Sequence, residues 1–346
     1  MIELRNNSLS FSFPDIHPEA RLDIEFQRTL RIPDDGTDYP LPAGLGAFPI
    51  EHVDDHMRKA PRHWLEHGGV MLPMYQAEAM WMNFESGYIR DRETSYPFAV
   101  RIAAGKIDAV TGESWTNTLQ SSPQNYVTIP EQPWLDGFCV EQGVIRQFVA
   151  MPLGEGYSAE EQVTGKAEFG GLQIMVYPMK KKAFERNHPV IEREYHAKRM
   201  AVNYQMEPVC SMPAPPAEMG LGAGGRMRQQ IYDDHYDFAD WDLSTHSRCF
   251  VHLTNSLSWH QVTGQQPPTE PPTAETYRQA GVPWFEHYRE QPVVAGSSVL
   301  RGLQSVATLG KEKGGQAVIE NDPVVIDRVI QLRERLATGQ VREGQF

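Results

Sequence analysis

The sequence predicts a mainly β protein, sandwich-like or barrel-like, with a few helices and a smaller C-terminal region. Three observations predict it. Apolar and polar residues alternate strictly over several short runs, which is the pattern of a half-buried strand. Glycines and prolines close those runs, and at 28 and 26 of 346 residues they punctuate a chain of many short elements. Hydrophobic residues make up 40% of the chain and charged residues 22%, a balance that builds a core rather than a disordered acidic tail.

The elements follow in order. Leu9, Phe11 and Phe13 alternate with Ser8, Ser10 and Ser12, and Leu22, Ile24 and Phe26 alternate with Asp23 and Glu25. In 74–84, Met74, Ala77, Trp81 and Phe84 fall at helical spacing, which predicts a helix with a core-facing stripe. Phe98, Val100 and Ile102, a turn at Ala104-Gly105, then Ile107 and Ala109 predict a hairpin over 97–110. Strands at 126–129, 144–151 and 172–177 each run into a proline: Pro130, Pro152 and Pro178. Ser158 and Glu161 match a capping box, so a short helix starts there. Phe250 to Leu253 reads as a strand. Near the end, Asp322 and Pro323 suit a helix start, Val325, Ile326, Val329, Ile330, Leu332 and Leu336 line one face, and Gly339 closes it.

Composition divides the chain into three. Residues 1–180 form a β-rich N-terminal domain. Residues 181–225 are a basic stretch, with Lys181, Lys182, Arg186, Arg193, Lys198 and Arg199 continuing from Lys180, followed by a Pro/Gly linker at 213–225. Residues 226–346 form a smaller mixed region that ends in the amphipathic helix.

A net charge of −13 argues against nucleic acid and against anionic membrane surfaces as partners. The N-terminal residues do not read as a secretory signal, no window is long and apolar enough for a membrane span, and the last residues carry no lipidation motif. Cys139, Cys210 and Cys249 contain no Cys-x-x-Cys pair, so they read as reduced thiols in a cytoplasmic protein.

Four constellations could carry chemistry. His63-Trp64-Leu65-Glu66-His67 fits H-x-x-E-H. On a helix, His63 and His67 share a face and can bind zinc, with Glu66 as the general base on a metal-bound water. Pro61 and Gly68-Gly69 leave this helix short, and no third ligand is marked out. The acidic run Asp233, Asp234, His235, Asp237, Asp240 and Asp242 has the oxygen ligands calcium takes, without EF-hand spacing. Gly220-Leu-Gly222-Ala-Gly224-Gly225 fits G-x-G-x-x-G, but no strand precedes it and no helix follows in this reading, so a dinucleotide site is rejected. Finally, Glu131 to Cys139 puts Trp134, Asp136 and, further on, Glu141 beside a turn. An indole flanked by carboxylates can stack on a sugar and hydrogen-bond it.

The segments IEFQRTLRIPDDG (24–36), LPAGLGAFPI (41–50), GGVMLPMYQAEAMW (68–81), EQPWLDG (131–137) and IRQFVAMPLGEGYSAEEQVTG (145–165) together resemble a family of microbial proteins without an assigned activity. The resemblance spans roughly residues 20–180. It implies one folded unit there and transfers no catalytic residue or substrate.

The leading expectation is a non-catalytic cytoplasmic binding or assembly module, with a protein partner or a second copy of the chain. Long proline-rich connections, Met/Trp-rich segments and an apolar terminal helix suit such contacts. The alternatives are a metal-dependent hydrolase built on His63, Glu66 and His67, and a carbohydrate-binding domain centred on Trp134.

Overall fold

The computed structural model describes residues 1–191, 218–314 and 324–332. Alternation in the sequence becomes strand pairing. In the strand Arg21–Thr29, Leu22, Ile24 and Phe26 are buried while Asp23, Glu25 and Gln27 are half-buried. Ser8–Ser12 pairs on one side of it and Ala79–Ser86 on the other, both antiparallel, so that Leu9, Ile24 and Phe84 lie in register. Pairing continues through Val144–Pro152, Glu218–Arg228, Ser247–Asn255, Leu172–Pro178 and Phe98–Ala104, each antiparallel to the one before.

Among the described residues this is one large sheet of 17 strands. It is mainly antiparallel, carries few helices and is not a closed barrel. Phe13 and Phe98, towards opposite ends of the pairing path, nonetheless meet with ring centroids 5.9 Å apart. One hydrophobic cluster includes residues from Leu9 to Leu303. The path crosses the division expected near residue 180, because Glu218–Arg228 and Ser247–Asn255 lie inside it.

A second, three-stranded sheet joins Leu41–Pro42, Trp284–His287 and Val329–Leu332. Among the described residues no helix is long and apolar enough to cross a membrane.

The hairpin of 97–110 forms, with Gly105 at φ 58° in its turn. The strands expected near 126–129, 144–151, 172–177 and 250–253 form as well. The helix Ala159–Thr164 has its capping box, with Glu161 N–H donating to the Ser158 hydroxyl and Gly165 ending it at φ 72°.

Three expectations are corrected. Residues 74–84 are not a helix: Val70–Met74 and Ala79–Ser86 are strands. Ala77 sits at φ 65° in the turn between them, and Met80, Met82 and Phe84 are buried while Trp81 and Asn83 are half-buried. The run fits both periods, and cross-strand pairing selects two. The linker ends before Glu218, since Glu218–Arg228 is a central strand; residues 213–217, with Cys210, Arg193, Lys198 and Arg199, lie outside the described residues. Val329–Leu332 is a strand parallel to Trp284–His287, not part of a terminal helix. Its β-branched Val329 and Ile330 suit that state. Asp322, Pro323, Leu336 and Gly339 lie outside the described residues.

A buried ion pair links the two strands of the hairpin. Arg101 and Asp108 are almost fully buried, with Nη2 donating to Oδ2 at 2.8 Å. The other carboxylate oxygen accepts from the backbone N–H groups of Val110 and Thr111. Burial of such a pair demands hydrogen bonds to the carboxylate, and both Asp108 oxygens have them, while Arg101 Nε is buried without a partner among the described residues.

Candidate functional site

The strand Trp134–Leu135 pairs antiparallel with Ala79–Ser86, Trp134 opposite Asn83. Trp81 lies two residues from Asn83, so both indoles stand on one face of the sheet. Asp136, two residues past Trp134, shares that side. The small sheet closes over them with Leu41, Phe285 and Leu332. The result is a cavity of about 320 Å³ between the two sheets, lined by these residues and the turn from Pro42 to Gly44. Gly44 lets the wall approach closely, because a Cβ there would stand 3.0 Å from the Trp81 ring.

Among the described residues, Asp136 is the only ionisable one of this lining, and it is 2% exposed. Its carboxylate Oδ2 accepts from Gln229 Nε2 at 2.7 Å, and its backbone N–H donates to Gln229 Oε1 at 3.0 Å. Among the described residues, no cation pairs with it and Oδ1 accepts no hydrogen bond. Burial therefore dominates and pushes the carboxyl up to about 7, with the Gln229 hydrogen bond opposing the shift. The indole N–H of Trp81 is likewise buried with no acceptor among the described residues.

Glu141 does not join this site. It lies at the far end of the strand Gly137–Glu141 and pairs with Arg226 at 3.2 Å and Arg301 at 3.6 Å. Arg226 also holds Asp38 at 2.6 Å. The Arg226 guanidinium keeps the Glu141 carboxyl below its ordinary value. The trio read from the sequence thus reduces to Trp134 and Asp136.

His63, Glu66 and His67 occupy the short helix Arg62–His67, which runs from Pro61 to Gly68. The two imidazoles share a face, with centroids 6.4 Å apart. Each is engaged elsewhere. His63 Nε2 lies 3.0 Å from Glu218 Oε2, and His67 stacks on Phe250 at 4.7 Å. Glu66 is exposed and pairs with Arg62 across one helical turn. The helix inserts Trp64 into a small core with Val53, Met71, Trp259 and Val262, stacked on His252 at 4.7 Å.

The acidic run is divided among structural partners. Asp234 Oδ2 accepts from the Tyr126 hydroxyl at 2.6 Å and from Trp241 Nε1 at 2.7 Å. Asp237 accepts from the Ala239 N–H and starts a 3-10 turn. Asp240 takes Arg186. His235 lies 3.8 Å from Glu131, and Asp233 is exposed. Among the described residues, no group of three His, Cys, Asp or Glu is placed to hold a metal ion. Cys139 and Cys249 are buried free thiols, each pushed up to about 12 by burial.

The cavity partners that the sequence did not mark as site residues are Trp81, Leu41, Gly44, Gln229, Phe285 and Leu332. Only Trp81 left a usable signal: read at period two, Met80-Trp81-Met82 turns the indole away from the core. No protein-family model, curated protein or solved structure matches this chain.

Proposed function

We propose that the chain is a binding module that takes a small, largely apolar organic ligand between its two sheets. One observation carries the reading: two indoles and one buried carboxyl line a single cavity of about 320 Å³. Ligand sites have this makeup, an apolar wall with few polar groups to fix orientation.

Binding fits better than turnover. Acid–base catalysis calls for a second titratable group within reach of the first, and among the described residues Asp136 stands alone on the lining. A carbohydrate fits less well than a flat apolar molecule. A sugar brings several hydroxyls, and the side chains of this wall offer one carboxyl and the indole N–H groups to meet them; each unmet hydroxyl loses a hydrogen bond it had in water.

The test uses 1-aminoanthracene, an uncharged fluorescent probe of cavities. We expect saturable one-to-one binding to the purified chain. Filling the cavity with Gly44→Leu, or separately with Leu41→Phe, should weaken that binding about tenfold or more, the equivalent of about 1.4 kcal/mol. Circular dichroism checks that each variant stays folded. Unsaturable binding, or equal affinity in both filled variants, would overturn the proposal.

A further inference from the structure

We propose, resting on the cavity reading above, that the ligand is an organic cation, a protonated amine whose nitrogen meets Asp136 and whose apolar body lies against Trp81 and Trp134. Charge complementarity argues for it. A carboxyl 2% exposed, beside two indoles and with no cation among the described residues, is a costly group to hold unpaired. A ligand bearing a positive nitrogen supplies the missing partner. Oδ2 is already engaged by Gln229, which fixes the carboxyl plane and leaves Oδ1 to receive the ligand. Indole faces attract cations through the ring quadrupole, more strongly in a desolvated site. The chain's net charge of −13 favours cations over anions before contact is made.

The groups around Asp136 leave its charge uncompensated. Ala79–Ser86 contributes neutral Trp81 to the lining, Leu41–Pro42 and the turn after it contribute no charge, and the small sheet adds Phe285 and Leu332. On the small sheet Glu286 holds Arg228, and His287 packs edge-on to Trp134 at 5.0 Å and lies 3.2 Å from the Tyr232 hydroxyl. Burial alone raises the Asp136 carboxyl towards neutrality. Amine binding therefore has to draw a proton off Asp136 in acid and not in mild base.

The experiment displaces bound 1-aminoanthracene with benzylamine and with benzyl alcohol, an uncharged analogue of nearly the same shape, in wild type and in Asp136→Asn. In mild base, benzylamine should compete about tenfold or more better than the alcohol. Below pH 7 that advantage should shrink by up to about tenfold per pH unit. Asp136→Asn should equalise the two competitors and remove the pH dependence. Equal competition by amine and alcohol in wild type would overturn the cation proposal while the cavity reading stands. So would an amine preference that survives in Asp136→Asn. Failure of the dye itself to bind would overturn both.

Discussion

At Asp136 the physical chemistry of a single side chain can be read twice, once through ligands and once through stability. Its carboxyl has an ordinary value of 3.8 and is pushed up to about 7 by burial. Folding therefore favours the protonated form. The stability this gives is complete below pH 3.8 and is lost as pH rises to about 7. Asparagine keeps an acceptor for Gln229 and cannot ionise. At about 1.4 kcal/mol per pH unit, the stability of Asp136→Asn relative to wild type should rise by about 2 kcal/mol between pH 5 and 7, then level off above pH 7. Urea melts across that range check it; a difference flat with pH would mean the carboxyl titrates in its usual range. Trp134 and Asp136 were legible because the turn residues around them are adjacent in the chain. Leu41, Phe285 and Leu332 were not, because they reach the cavity from strands that only tertiary pairing brings together.

At the scale of elements, the run 220–225 is the clearest case of one pattern with two physical meanings. Glycine serves turns by its freedom at positive φ, and it serves packing by having no side chain. In Glu218–Arg228 the second use holds. None of Gly220, Gly222, Gly224 or Gly225 has positive φ. A Cβ on Gly222 would stand 2.6 Å from a Val306 methyl and 2.7 Å from the Tyr157 carbonyl oxygen, and one on Gly225 would meet the Pro33 oxygen at 2.4 Å. In a flexible linker, Gly222→Ala would be neutral or mildly stabilising through the unfolded chain. In this strand it should destabilise by about 1–3 kcal/mol, read as a lowered midpoint in denaturant with an unchanged slope. The strands with strict alternation, such as Arg21–Thr29, were legible because their two faces meet different media. Glu218–Arg228 is buried along most of its length, so no alternation was there to see. The helix Arg62–His67 was legible as a helix, but the partners of its histidines lie far away in sequence: Glu218 for His63 on Glu218–Arg228, and Phe250 for His67 on Ser247–Asn255.

For the molecule as a whole, the order of strands decides what can fold alone. Composition suggested that residues 1–180 make one unit, and the resemblance suggested the same of roughly residues 20–180. The pairing path argues for a larger one. Val144–Pro152 pairs with Glu218–Arg228 over most of its length, and Leu172–Pro178 pairs with Ser247–Asn255. A fragment of residues 1–190 would expose both as open edges, with Phe148, Ala150, Ile174 and Val176, all buried in the full chain, beside them. Long apolar edges of this kind pair with other chains. We expect that fragment to aggregate, or to melt without a cooperative transition by circular dichroism. Co-expression with residues 191–346 as a separate chain should restore a soluble complex, because the lost pairs can then reform in trans. A fragment 1–190 that stays monomeric and melts cooperatively would show instead that the N-terminal residues hold a sufficient core, and that the later strands dock onto a sheet already folded.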